Sequence, residues 1–346
     1  MDLQTFKAKF DKTLKIILTK KINQTKNFLD HKRLNLIVDY ISDYIFSGGK
    51  RLRPYSVYLA YKLFGGKNDK EIIKFGAIFE ILHAMLLIHD DIIDEAEKRH
   101  NIQSFHKYIT SILPKKNNNW HIWQWQTIVV GDLILAWVYE LIYQNYKFEN
   151  KLLLEVRKNI HEMIQEVILG QMIDVDMTTW NEANEKTLYK KNLYKTARYT
   201  FARPLLIWSI LAWVKKENSD LIFKIGESLW IAFQVKDDLN DLLAHDKDKT
   251  MFSDIQQWQQ TYFTLFVMKN WNSKQKNFLQ NCMWKKLKKN QIIELQKLFD
   301  KTWAINYWKN MIKRYCNEAQ KLLKQLKNID KKYVCELKNL INIIGK

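Results

Sequence analysis

Nine glycines and three prolines are all that 346 residues hold of the two strongest turn-formers. A fold of many short strands joined by tight turns needs more, so the chain is free to run in long uninterrupted helices. Apolar residues recur at helical spacing from the outset. Leu3, Phe6, Phe10, Leu14 and Ile17 begin a pattern that reaches Phe46 and predicts two opening helices. Further helices are predicted to about Leu63, from Ile128 to Tyr146, from Leu152 to Asp176 and from Leu221 to Ala244, and no strand alternation stands out. The class is therefore all-α. At 47% apolar residues the chain can bury a sizeable core.

The stretch Phe75–Asn101, FGAIFEILHAMLLIHDDIIDEAEKRHN, reads as one long helix with an apolar body and carboxylates Asp90, Asp91 and Asp94 near its end. At about 100° per residue, Asp90 and Asp94 share a face and His83 lies beneath Asp90, two turns earlier. Three carboxylates so close repel one another unless a cation sits among them. Oxygen-only ligands that leave places for water and phosphate suit Mg²⁺. A solvated acidic helix end is the plain alternative. A second cluster changes the balance: FQVKDDLNDLL carries Asp237 and Asp241 one turn apart, Asp238 beside them and Gln234 a turn earlier, 147 residues after Asp90. Two such clusters with basic residues between them point to facing helices that clamp a polyphosphate through several Mg²⁺ ions.

Between Ser47 and Tyr55 runs SGGKRLRPY. Gly48-Gly49 ends a helix and frees backbone amides, Lys50, Arg51 and Arg53 add positive charge, and Pro54 suits a first helical turn. This is an anion site or an ordinary helix cap with charge nearby. Lys195-Thr196 sets an ammonium and a hydroxyl on a helix otherwise dense in aromatics. The segment Pro114–Asn119 reads as a loop, and Trp120, Trp123 and Trp125 after it read as packing rather than as a base-stacking platform.

The formal charge is +19, of which residues 281–346 supply sixteen Lys/Arg against five Asp/Glu. The excess is thus mostly far from the carboxylates and reads as solvated helix surface. It allows weak attraction to anionic lipid and gives no support for nucleic-acid binding as the function. Cys282, Cys316 and Cys335 are odd in number and widely spaced, which suits a reducing cytoplasm and neither a disulfide framework nor a zinc site. The apolar run at Pro204, PLLIWSILAWV, is too short to span a membrane, and Ile16-Ile17-Leu18 is too short for a signal-peptide core.

In order and approximate spacing, GGKRLRP, the E-x-x-H of Glu80 and His83 before HDDIID, GQMID at Gly170–Asp174, KTA at Lys195–Ala197 and FQVKDDLND resemble the motifs of the trans-isoprenyl diphosphate synthases, or polyprenyl synthetases. The similarity covers about Ser47 to Thr261. It implies one domain over residues 1–346: a large bundle of long, mostly antiparallel helices around a central cavity, usually dimeric, with the basic helices of 281–346 at its end. It implies an enzyme that elongates an allylic diphosphate with isopentenyl diphosphate. By position, Asp90, Asp91, Asp94 and Asp237 would hold Mg²⁺ on the allylic diphosphate, with Asp238 and Asp241 completing the second cluster. Arg99, Lys195 and Lys249 would contact that diphosphate, and Thr196 and Gln234 would turn oxygens toward the allylic carbocation. Lys50, Arg53 and His83 would hold isopentenyl diphosphate. Met85 and Leu86, five and four residues before the first aspartate, would floor the pocket for the growing chain. Being neither aromatic nor small, and with no two-residue insertion in the first cluster, they suggest a product of C20 or longer.

The match departs from the family in four places. Arg99-His100-Asn101 stands where the family has Arg-Arg-Gly, so His100 takes the place of an isopentenyl diphosphate ligand with an imidazole only partly charged near neutral pH. Asp248-Lys249 keeps the lysine of a Gly-Lys pair, Trp258-Gln259 loses the next one, and the loop at Pro114 is longer than usual. These departures leave room for another role, a non-catalytic partner subunit of a heteromeric synthase. A terpene cyclase is a poorer match, because it has no second diphosphate for GGKRLRP to hold.

Overall fold

The structure, a computed structural model, describes residues 1–346 except 30, 114–120, 178–184, 244–251, 257–260, 284–286 and 346. It is all-α, with one two-residue β-ribbon among the described residues. The chain divides into two compact units, residues 1–58 with 66–150 and residues 59–65 with 151–346.

The first unit holds α1 (Leu3–Asn27), α2 (Lys32–Phe46), the start of α3 (Leu52–Leu63), α4 (Asp69–Ile93), strands β1 (Lys98–Arg99) and β2 (Ile102–Gln103), α5 (Phe105–Ile112) and α6 (His121–Ile142). Helix α1 starts where the Asp2 carboxylate accepts from Thr5 N at 2.9 Å, and it buries the stripe Phe6, Phe10, Leu14, Leu18, Ile22. Helix α4 opens on an Asn68 cap with Asp69 and Glu71 in its first turn. It is apolar almost all round, with Ile72, Phe75, Ile78, Phe79, Ile81, Leu82 and Ile88 at 1% exposure or less, and it packs on α1 and α6 as the unit's central helix. It is shorter than its sequence pattern suggests. Instead of running to Asn101 it stops at Ile93, Glu95 takes a left-handed φ of 50°, and Lys98–Gln103 turns back as the ribbon, pairing Lys98 with Gln103 and Arg99 with Ile102.

The second unit holds α7 (Asn150–Met177), α8 (Glu185–Asn192), a π-helix (Leu193–Ala202), α9 (Arg203–Leu211), α10 (Lys216–Leu243) and, after it, α11 (Ser253–Gln256), α12 (Tyr262–Asn270), α13 (Ser273–Cys282), α14 (Lys289–Lys301), α15 (Ala304–Leu323) and α16 (Lys331–Gly345). Helix α10 packs along α15 and against the π-helix, α9 and α16, over a core that includes Trp208, Trp230 and Trp308. Cys282 and Cys316 are buried free thiols, and Cys335 is exposed.

By length and composition α4 and α6 could each cross a bilayer, but 72% of the apolar window of α4 is buried inside the protein, as befits a core helix. That of α6 is only 44% buried, so this helix keeps an exposed apolar side.

Candidate active site

In the first unit the end of α2, the loop at residues 47–51, one face of α4 and the turn of the β-ribbon surround a cavity of about 30 Å³. Tyr44, Gly48, Gly49, Arg51, Glu80, His83, Arg99 and His100 border it. Burial, and then the positive charge of Arg53, Arg99, Arg51 and His100, hold the His83 imidazole well below its ordinary value. His83 is therefore a weakly basic hydrogen-bonding group where several cations meet, an arrangement whose charge suits an anion. His100, at the ribbon turn with φ 52°, lies so close over Gly48 that a Cβ there would stand 2.6 Å from the imidazole.

The three aspartates of α4 differ. Asp91 is fully buried: it accepts from the Tyr44 hydroxyl at 2.6 Å and from Arg99 Nε at 2.8 Å, with Arg99 Nη2 on the same oxygen. Burial pushes the Asp91 carboxyl up against the pull of Arg99 and Tyr44, and the same burial with the nearby carboxylate pushes the Tyr44 hydroxyl up. Asp90 and Asp94 remain part-exposed, Asp94 as the helix C-cap whose N–H donates to the Asp90 carbonyl at 2.8 Å. Arg99 Nη2 stands 4.0 Å from Asp90, so one guanidinium links the buried carboxylate to an open one. Tyr44 is not legible from sequence as a site residue; at its place in α2 it has the spacing of an ordinary core aromatic.

Of the three cations of SGGKRLRPY, Arg53 lies part-exposed in the first turn of α3, while Arg51 is turned inward and only 4% exposed. It donates to Asp11 at 2.8 Å, to Glu80 at 2.5 Å and to the Ile45 carbonyl at 3.0 Å. Lys50 is exposed. Met85 is a core side chain, 3% exposed, and Leu86 is part-exposed. A cavity of about 870 Å³ between α1, α2 and α6 is bordered by neither of them, nor by any other residue singled out above as a site residue.

In the second unit Lys195 and Thr196 lie in the π-helix, where each turn takes in an extra residue, a rare form that is frequent at functional sites. The coil sits tight against α7: a Cβ on Gly170 would stand 2.1 Å from Lys195 N, so only glycine fits. Its far end is fastened by ions. Arg198 donates to Glu166 at 2.6 Å, and Arg203 donates to Glu166 through Nε at 3.1 Å and Nη2 at 2.7 Å, to Glu162 at 2.9 Å and to Asn159 at 2.9 Å. At the near end Asp174 of GQMID accepts from Lys195 at 2.5 Å and stands 2.9 Å from the Lys191 ammonium. Burial would raise its carboxyl, but the two lysines outweigh burial and hold it below the usual range. Lys191 is missing from the residues expected at the site, although it precedes Lys195 by four residues and that spacing is a signal for the pairing.

On α10, Gln234 donates its amide N–H to Asp238 at 2.7 Å, so its amide oxygen is left to point elsewhere. Asp238 is buried at 6% exposure and Asp237 is part-exposed. Asp241 lies in the last turn of α10, and its side chain is outside the described residues, as are Lys249, Trp258-Gln259 and the Pro114 loop.

Among the described residues no three His, Cys, Asp or Glu side chains form a ready-made metal cage. The donor set nevertheless fits Mg²⁺. In the first unit Asp90 and Asp94 are part-exposed carboxylates on one helix face, and Mg²⁺ prefers one or two carboxylates with water and phosphate oxygens completing its shell; in the second unit Asp237 is, by itself, another part-exposed hard oxygen donor.

Comparison with known proteins adds an independent line. A family profile described as polyprenyl synthetase matches residues 35–301. A geranylgeranyl diphosphate synthase of Sulfolobus acidocaldarius is 25% identical over 284 residues, 81% of each chain. A short chain isoprenyl diphosphate synthase of Methanocaldococcus jannaschii is 26% identical over 288 residues, 82% of this chain and 81% of that one. Among solved structures, a geranylgeranyl pyrophosphate synthase from Corynebacterium glutamicum, complexed with isoprenyl diphosphate and magnesium, superposes with a TM-score of 0.88 at 22% identity, covering 98% of both chains.

Proposed function

The chain belongs to the polyprenyl synthetase family, and on that premise we propose that it is a Mg²⁺-dependent trans-prenyltransferase. It condenses isopentenyl diphosphate with an allylic diphosphate, head to tail, into a polyprenyl diphosphate of C20 or longer. The observation that carries the proposal is that each unit sets part-exposed carboxylates on a helix, Asp90 and Asp94 on α4 and Asp237 on α10, and in each a buried carboxylate fastens a candidate diphosphate-binding cation, Asp91 holding Arg99 and Asp174 holding Lys195.

Asp90 and Asp94 on α4 and, separately, Asp237 on α10 would hold Mg²⁺, whose charge would stabilise the leaving pyrophosphate. Asp91 fixes Arg99 and Asp174 fixes Lys195, so each cation meets the allylic diphosphate already oriented, and no reorganisation is required when the C–O bond breaks. Thr196 and Gln234 turn oxygens toward the allylic cation. Lys50, Arg53, His83 and His100 hold isopentenyl diphosphate, whose double bond attacks the cation. The proton lost from the adjacent carbon passes to the departing pyrophosphate, so no protein nucleophile is needed.

The partner-subunit alternative is not favoured: the relatives matched over four-fifths of the chain are themselves named as synthases. A product of C20 is what the name geranylgeranyl describes in one of them. We place the protein in the cytoplasm, in keeping with its free cysteines. Homodimer formation is supported by exposed apolar residues on α6 (Ile128, Val129, Tyr139) and, separately, on α7 (Leu154, Ile168, Leu169, Met172, Val175). Weak peripheral membrane attachment rests on the charge of +19 alone.

Purified protein with Mg²⁺, isopentenyl diphosphate and farnesyl diphosphate should release pyrophosphate, and chromatography of the products gives their length. Turnover only after a second chain is added would reinstate the partner-subunit reading. Consumption of the allylic substrate without isopentenyl diphosphate would make the protein a cyclase.

A further inference from the structure

Helix α1 precedes the residues matched by the family profile, which begins at residue 35, yet two of its side chains fasten the glycine loop. Lys7 Nζ donates to the Gly49 carbonyl at 3.1 Å, and one turn on, Asp11 accepts from Arg51 at 2.8 Å. From the other side Glu80 of α4 and the Ile45 carbonyl complete the hold on Arg51, whose guanidinium also lies 5.6 Å from the centre of the Phe46 ring. The loop so fastened is not one that a free chain would keep. Gly49 has φ 100° and Arg51 has φ 54°, a left-handed conformation disfavoured for arginine and maintained only where its surroundings over-determine it. Backbone turns that mix left- and right-handed residues direct successive N–H groups into one concavity and so bind anions.

We propose that α1 is a positioning element of the isopentenyl diphosphate site. Lys7 and Asp11, acting through Gly49 and Arg51, hold residues 48–51 in the turn that offers amides and flanking cations to that diphosphate. The proposal rests on the prenyl-transfer function above. Lys7, Asp11, Arg51 and Glu80 are positioning residues that need not touch substrate themselves. Asp11 keeps 28% of its side chain exposed and Lys7 is part-exposed, so replacing either removes a loop contact with little loss of packing.

The test is steady-state kinetics on full-length Asp11→Asn, Lys7→Met and Arg51→Lys with Mg²⁺, isopentenyl diphosphate and farnesyl diphosphate. A roughly three- to tenfold rise in KM for isopentenyl diphosphate is expected in Asp11→Asn, and a smaller rise in Lys7→Met. In both, kcat and the KM for farnesyl diphosphate should stay within about twofold. A purely structural role would move both KM values together or lower only the melting temperature, and either result overturns the proposal, as does an unchanged KM in both surface variants. Arg51→Lys should show the largest rise; if it fails to fold, the two surface variants still decide. If the unmodified protein does not condense the substrates, it is the prenyl-transfer function that falls. Calorimetric titration with isopentenyl diphosphate then reads the loop directly: weaker binding in Asp11→Asn supports the role of α1, and equal binding overturns it.

Discussion

Replacing Asp174 with asparagine would leave the ammonium groups of Lys191 and Lys195 facing a neutral amide. The Asp174 side chain is 8% exposed, that of Lys191 7% and that of Lys195 25%, so the charge is removed from a largely dry site. Taking one partner from a buried ion pair costs about 3–5 kcal/mol. Here the amide oxygen can still accept one hydrogen bond and Lys195 reaches some water, which sets the expectation near the lower end, about 3 kcal/mol. Thermal unfolding should show the melting temperature falling by roughly 5–10 °C. Adding Lys191→Met removes the more buried orphan and should recover about 1 kcal/mol or more, a coupling that denaturant titration of the double-mutant cycle measures. The pH dependence has a definite sign. Because Asp174 titrates below the usual carboxylate range when folded, its contribution is complete above the unfolded value of about 3.9 and fades as pH falls through the folded value. The stability gap between the parent protein and Asp174→Asn should therefore be level from about pH 5 to 7 and close only in stronger acid. A gap under about 1 kcal/mol at pH 7, or one that widens on acidification, would refute the account of Asp174 as anchor of the lysine pair.

Asp90→Ala should abolish pyrophosphate release while the circular dichroism spectrum and melting curve stay close to those of the parent; retained turnover would remove Asp90 from the site. Met85→Ala should lengthen the product, read by chromatography, at a stability cost of about 2–5 kcal/mol for a buried methionine. An unchanged product distribution would show that Met85 is core alone. Tyr44→Phe takes one donor from the buried Asp91 and should cost about 1–3 kcal/mol. Because Asp91 also orients Arg99, kcat/KM for the allylic diphosphate should fall with it, and a stability loss without a kinetic one would confine Tyr44 to the scaffold.

The helices are legible in the sequence because their cause is local: few glycines and prolines, and apolar residues at a period that only a helix satisfies. Their ends are less so. The helix of Phe75 onward is expected to reach Asn101 because its polar last turns, DEAEKRHN, suit a solvent-exposed helix well enough; the left-handed Glu95 and the pairing of Arg99 with the buried Asp91 go with its earlier end. A ribbon of two-residue strands is too short for any alternation to register. The π-helix leaves no mark because its residues have ordinary helical character, and what selects the wider coil, contact with Gly170 and the carboxylates of α7, lies more than twenty residues away. Arg51 shows the same limit from the side of charge. Beside Lys50 and Arg53 it reads as one more surface cation, and only the approach of Asp11 and Glu80, remote in sequence, turns it inward.

The wide coil at residues 193–202 has a consequence for how such a protein can change. Tightening one of its turns to α geometry releases a residue of slack while the neighbouring helices keep their footing, so a single-codon deletion there is absorbed locally. What shifts is azimuth: Lys195 and Thr196 swing about the coil axis while the polypeptide before and after stays in register. Such a swing would carry the Lys195 ammonium away from the Asp174 carboxylate that now holds it, so a change in length alone would undo that pairing.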